Sequence, residues 1–286
     1  MSIQGTPIPC LPSSRHGVNA LRYIDKKEKM KVTVCQLSND RKQFEKEWEK
    51  LVSHCRLNRS EIILLPEMPF YSWIANKPST NQSDKIKAIQ AHEKWLQRIE
   101  ELGDAIVAYS KPVLKEENFY NTAFIWTKAT GHQNVHTKYF FPEEEGFYEA
   151  TWFDRAAKNF ELIEINGLKF GFLLCTEIWF TQYTRGYGLE GMDFLLCPRA
   201  TGKSSIDQWI RCGQTSSVIG GAYCLSSNRS GIGENNFNWG GTGWICQPMN
   251  GELLGLTSND SPFLTIEIDL EKSKEAKNNY PIYVKE

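Results

Sequence analysis

Apolar positions along the chain fall into short period-two runs separated by longer stretches with helical spacing. The strand-like runs are KVTVCQL at 31–37, EIILLP at 61–66, DAIVAYS at 104–110 and TAFIW at 122–126 in the first half. LKFGFLLC at 168–175, MDFLLCP at 192–198, AYCLSSN at 222–228 and FLTIEIDL at 263–270 follow in the second. In the last run Leu264, Ile266, Ile268 and Leu270 alternate with Thr265, Glu267 and Asp269, the pattern of a strand with one buried face. Leu168, Phe170, Phe172 and Leu174 oppose Lys169 and Gly171 in the same way. Between the first two runs, Phe44, Trp48, Leu51, Val52 and Cys55 share one face at helical spacing, which predicts about four turns of amphipathic helix. A second helix is predicted to carry Ile86, Ile89, Leu96, Ile99 and Leu102, and a third to run from Ser205 to Ile219.

Strand alternating with helix predicts an α/β layered domain. No repeat, low-complexity tract or Pro/Gly linker divides residues 31–286, so one domain is expected there. The stretch from Gly231 to Gly243 is Gly-rich but too aromatic for a flexible linker, and reads as a structured loop. Residues 1–30 read as a poorly ordered Pro/Ser-rich tail, with Met30 as an alternative start.

The charge balance narrows the partners. Lys and Arg number 33 against 34 Asp and Glu, for a net charge of −1, so there is no bulk positive field to hold phosphate backbones or anionic membrane. Nucleic acid is not expected. No apolar stretch approaches the roughly 20 residues that span a bilayer, and the N-terminus lacks the basic and apolar regions of a secretory signal. The eight cysteines are never closer than 12 positions apart, which excludes CxxC redox and zinc-knuckle spacings. Several sit inside strand-like runs, and free thiols in a reducing, cytoplasmic setting are expected.

Near-miss motifs remove several chemistries. Gly202-Lys203-Ser204 ends like a phosphate-binding loop, but Cys197 stands where its first glycine is needed. His92-Glu93 begins a zinc-protease motif, but position 96 is Leu. The five histidines all lie at or before His136, so a cysteine followed far downstream by histidine is excluded and no metal-ligand spacing exists. A hydrolase built on this chain would use a carboxylate as its base.

Open α/β sheets place ligands at the carboxyl ends of their strands. Glu67 ends IILLPEM there, Lys138 follows the strand at 122–126 and a short polar turn, and Cys175 closes LKFGFLLC. An acid, a cation and a thiol meeting at one edge suit covalent acyl transfer. The thiol must be ionised to attack a carbonyl carbon, Glu67 can take its proton and return it to the leaving amine, and Lys138 can stabilise the oxyanion. Apolar neighbours Leu64, Leu65, Met68 and Phe70 would raise the pKa of Glu67 toward a working range.

At these segments the chain resembles the nitrilase, or carbon–nitrogen hydrolase, superfamily. The matching pieces are LLPEMPF around Glu67, HTKYFFPEEEGFYEATWF around Lys138, LLCTEIWF around Cys175 and AYCLSSNRSG at 222–231, within about residues 31–284. The resemblance implies a four-layer αββα sandwich, a Glu67–Lys138–Cys175 triad, no cofactor, no metal, and hydrolysis of a non-peptide C–N bond through a cysteinyl thioester. It implies a second glutamate, best matched by Glu149 with Glu145 as the alternative alignment. It also implies a homodimer or larger homo-oligomer. CTEIWF is similar to N-carbamoylputrescine amidase-like members, whereas members that grip a substrate carboxylate carry arginines where Ile178 and Trp179 stand here. A small linear amide or N-carbamoyl amine is therefore the expected substrate, with ammonia released. A nitrile substrate and a non-catalytic scaffold of the same fold are the alternatives. Tyr71, Phe147, Trp152, Glu177, Trp179 and Arg199 are the candidate substrate contacts, and Trp73 is a further aromatic near the motifs.

Overall fold

The computed structural model describes residues 29–285. Strand β1 (Lys29–Ser38) joins its two halves. It pairs in parallel with β2 (Ile62–Leu64), antiparallel with the late strand at Phe263–Asp269, and through Gln36–Ser38 in parallel with a strand of the second half. In the first half, α1 (Arg41–Asn58) connects β1 to β2, and α2 (Gln82–Leu96) leads to β3 (Ile106–Lys115). Antiparallel β4 (Asn118–Thr127) and β5 (Gly131–Thr137) extend the sheet outward. A small hairpin, β6 (Glu143–Glu144) and β7 (Phe147–Tyr148), and the single turn α3 (Glu149–Trp152) lie between the halves in sequence.

The second half runs β8 (Ile163–Ile165), β9 (Leu168–Phe172), α4 (Thr181–Leu189), β10 (Phe194–Pro198), α5 (Ile206–Gly220) and β11 (Tyr223–Ser230). β12 (Trp244–Cys246), β13 (Leu253–Leu256), β14 (Phe263–Asp269) and α6 (Glu271–Ala276) complete it. The strand order is β5-β4-β3-β2-β1-β11-β10-β9-β8, with β14 on β1 and β12-β13 beyond β11.

Period-two burial explains the layering. Val32, Val34, Ile62, Leu64, Ile106 and Ala108 pack in one core with Phe170, Phe172, Phe194, Leu196 and Leu225 from the other half-sheet. The alternate residues face outward: Cys35, Leu37, Ile63, Leu65 and Val107 meet Phe44, Trp48, Leu51 and Cys55 of α1. Leu173, Leu195, Cys197 and Cys224 pack with Trp209 and Cys212 of α5. Helix, sheet, sheet and helix therefore stack as the expected αββα sandwich, and each large side chain buried in it contributes roughly 1.5–3 kcal/mol. α1 starts where the Asp40 carboxylate accepts the Gln43 N–H at 2.8 Å, and stops at Arg59, which is left-handed at φ 55°. Among the described residues no helix is long and apolar enough to cross a membrane.

Three expectations need correction. The first strand begins at Lys29, so residues 29 and 30 belong to it; the rest of the expected tail, 1–28, lies outside the described residues. The second helix ends at Leu96, and Ile99 and Leu102 occupy a separate 3-10 turn, with Arg98 between them in a non-helical conformation. Its buried face is Ala88, His92 and Leu96, while Ile86 is exposed; His92 Nδ1 donates to Ala88 O and Nε2 accepts the Phe70 N–H. Finally, Lys138 follows a strand and not a polar turn. β5 reads GHQNVHT because it is a sheet-edge strand along which only His136 is buried.

Candidate active site

The carboxyl ends of β2, β5 and β9 meet at one edge. After β2 the chain passes Leu65 and Pro66 to Glu67, whose N–H donates to Arg199 O at 3.2 Å just past β10. Met68 is left-handed at φ 43°, and the buried guanidinium of Arg229 holds this turn by donating to Glu67 O at 3.1 Å, to Tyr71 O at 2.9 Å and to Met68 O. Lys138 leaves β5 with its N–H donating to Asn121 O at 2.9 Å. Beyond β9, Leu173 and Leu174 lead to Cys175, which opens a 3-10 turn with φ 50°. A non-glycine residue in that region stores strain of about 1–3 kcal/mol. That strain turns the sulfur out of the strand's alternation.

Lys138 Nζ donates to Glu67 Oε1 at 2.9 Å and to both Glu149 oxygens at 2.9 and 2.7 Å, with all three side chains buried. Asn121 Nδ2 adds a second donor to Glu67 Oε1 at 2.8 Å. Glu67 Oε2 is buried and has no hydrogen-bond partner among the described residues, so one oxygen of the carboxylate is clamped and the other is free to accept a proton. Burial alone would lower the Lys138 pKa, but Glu149, Glu67 and Cys175 outweigh it and hold the ammonium above its ordinary value. Burial raises the Glu149 carboxyl, Lys138 opposes the rise and Glu67 adds to it. Burial and the Glu67 charge push the Cys175 thiol well above its ordinary value despite Lys138.

A cavity of about 70 Å³ opens beside the sulfur, lined by Cys175, Thr176, Glu149, Phe147, Trp209 and Glu144 among others. Of the two candidates for the second glutamate, Glu149 touches Lys138, while Glu145 lines a separate depression of about 570 Å³ with Trp73 and Trp239. Of the six candidate substrate contacts, Phe147 reaches the cavity wall. The other five lie elsewhere. Tyr71 sits on a different recess with His92 and Arg229, and Trp152 is buried with its indole N–H donating to Lys77 O at 2.8 Å. Trp179 is 46% exposed and packs edge-on against Trp209. Arg199 is spent inside the fold, donating to Ser226 Oγ at 2.7 Å, Thr201 Oγ1 at 2.8 Å and Thr242 O at 2.7 Å, over the Trp244 ring.

Glu177 is a fastener. Its carboxylate accepts from Leu174 N at 2.9 Å, Tyr139 N at 2.7 Å and His136 Nε2 at 2.7 Å, tying the residue before Cys175 to the residue after Lys138. Asn121, Thr176 and Trp209 are site residues that sequence reasoning missed. Asn121 lies in a strand with no motif around it, whereas Thr176 was within reach as the position next to Cys175.

Residues 31–278 match the carbon-nitrogen hydrolase family, and the chain belongs to it. Among curated relatives, a citrullinase of Francisella tularensis subsp. tularensis is 26% identical over 218 residues, covering 70% of this chain and 74% of that protein. An N-carbamoylputrescine amidase of Solanum tuberosum is 24% identical over 179 residues, or 57% of this chain and 59% of that one. Among solved structures, a carbon-nitrogen hydrolase from Helicobacter pylori G27 has the same fold, with a TM-score of 0.78 at 20% identity, covering 89% of this chain and 94% of that chain.

Proposed function

We propose that this protein hydrolyses the C–N bond of a small linear amide or N-carbamoyl amine, with Cys175 as nucleophile. One observation carries the reading: a buried carboxylate with a free oxygen is bonded to a buried ammonium, and the Cys175 thiol whose pKa both influence lies beside a small cavity. Glu67 Oε2 takes the thiol proton as Sγ attacks the carbonyl carbon. Lys138 Nζ and the N–H of Thr176 stabilise the oxyanion. As the tetrahedral intermediate collapses, Glu67 delivers the proton to the departing nitrogen, ammonia leaves and a thioester to Cys175 remains. Water, deprotonated by Glu67, then attacks the thioester, and the proton returns to the sulfur. An amide yields a carboxylic acid, and an N-carbamoyl amine yields a carbamic acid that breaks down to amine and carbon dioxide. Glu149 holds Lys138 in place and sets the charge around it. The two relatives are named for ureido compounds, citrulline and N-carbamoylputrescine, which supports including that class.

The test is to incubate the protein with a pool of amides and ureido compounds, quench it, and weigh it. An acyl or carbamoyl mass on the peptide containing Cys175, absent from Cys175→Ala, is expected together with released ammonia. No ammonia from any member of the pool, or full activity in Cys175→Ala, refutes the reading. Comparing an amide with its matching nitrile shows whether the same residues prefer a nitrile.

A further inference from the structure

The cavity beside Cys175 contains a carboxylate that nothing in the fold uses. Glu144 lines it from the β6–β7 hairpin, directly across from Phe147, and its side chain makes no ion pair or hydrogen bond among the described residues. Its neighbours are committed: Glu143 accepts from Thr151 N at 3.0 Å and Oγ1 at 2.5 Å, and Glu149 is held by Lys138. Among the described residues no lysine, arginine or histidine lines the cavity, and Lys138, the cation assigned to the oxyanion, is already engaged by Glu67 and Glu149. Lys203, in the turn between the lining residues Gly202 and Ser205, is exposed and forms no part of the wall. Phe147 and Trp209 add aromatic surface to the same wall. The space, about 70 Å³, holds a few water-sized groups, enough for an amide or ureido head. Of the lining residues Glu144 alone is exposed, so it stands where the cavity meets solvent and where the remainder of a substrate leaves.

We propose that Glu144 is a specificity-determining residue that selects substrates whose amide or ureido head is followed by a cationic amine end, and disfavours those ending in a carboxylate. The inference rests on Cys175 being the nucleophile. A carboxylate beside aromatic faces attracts an ammonium by charge and by the ring quadrupole, and repels an anion. No guanidinium or ammonium on the wall is available to receive an anionic end.

The test measures alkylation of Cys175 in the full chain by three N-substituted chloroacetamides of equal length, with tails ending in ammonium, methyl or carboxylate. Sγ displaces chloride and the thiol proton goes to the base, so the readout is mass gain on the Cys175 peptide with time. The ammonium reagent is expected to react about ten-fold faster than the carboxylate one. Glu144→Gln is expected to compress that ratio at least about three-fold, and Glu144→Lys to invert it. Because the readout is a ratio of reagents within one protein, general damage to the site cancels. Equal rates for the three tails overturn the inference and leave the nucleophile standing, as does a Glu144→Lys protein that keeps the wild-type order. A Glu145→Gln protein that loses the order as fully as Glu144→Gln overturns it too, by assigning selection to the acidic rim at large. Failure of every reagent to modify Cys175 ahead of the other cysteines overturns both.

Discussion

Lys138→Met removes the cation that Glu67 and Glu149 share while keeping most of the side chain's length. All three groups are buried, and the ammonium sits 2.9 Å from one carboxylate and 2.7 Å from the other. Stripping one partner from a buried ion pair costs about 3–5 kcal/mol, and here one cation serves two anions, so the upper end applies if both stay charged. They can escape that cost by taking up protons. In the variant both folded carboxyl pKa values then lie above their unfolded value of about 4.3, the native state binds more protons than the unfolded chain, and stability falls as pH rises by up to about 1.4 kcal/mol per unit per proton. The wild type shares the sign at Glu149, whose carboxyl burial raises, but Lys138 opposes that rise, so its fall is shallower. Urea unfolding at about pH 4.5, close to the unfolded carboxyl pKa, and at about pH 8 separates the cases: the variant's deficit should be small at the lower pH and reach about 3–5 kcal/mol at the higher. Adding Glu67→Gln and Glu149→Gln to the variant should restore most of the loss at the higher pH. A deficit that does not change with pH, or none at all, would refute the charge argument.

Three further outcomes follow from the same geometry. Cys175 is left-handed, so Cys175→Gly should be about 0.5–1 kcal/mol more stable than Cys175→Ala by thermal unfolding, although both lose at least about 1,000-fold in turnover. Glu67→Gln removes the proposed base and also a charge that raises the thiol pKa; turnover should collapse while the thiolate absorbance of Cys175 appears at lower pH than in the wild type. Glu177→Gln keeps one acceptor oxygen where the carboxylate uses two, so it should cost about 1–3 kcal/mol in denaturant unfolding and lower kcat more than it changes KM.

The layers of the fold were legible because a sheet covered on both faces leaves period-two signatures. Leu168, Phe170, Phe172 and Leu174 all enter the central core as their alternation requires, and Phe44, Trp48, Leu51 and Cys55 mark the covering helix. β5 was not legible, because a sheet-edge strand needs little apolar content, and its polar string looks like a turn until β4 is seen beside it. The second helix was overrun for the opposite reason. Ile99 and Leu102 are buried like helix residues, but they belong to a 3-10 turn, and burial by itself carries no period.

At the site, sequence order is enough to suggest which ends of strands meet, and Glu67, Lys138 and Cys175 do act on one another there. Which polar group faces the cavity and which is consumed by the fold is a different kind of information. Arg199 and Glu177 look like substrate contacts in sequence because they are charged and adjacent to the motifs. Both are buried with their polar atoms engaged by the fold, as a buried charge must be if it is to remain charged. Glu144 is the reverse case, one of three consecutive glutamates of which the sequence singled out only Glu145. The hairpin turns them to different tasks: Glu143 binds Thr151, Glu145 lines the outer depression, and Glu144 lines the cavity beside the sulfur. Ligand charge preference therefore depends on side-chain accounting around the site, where an unspent carboxylate carries more information than a spent one.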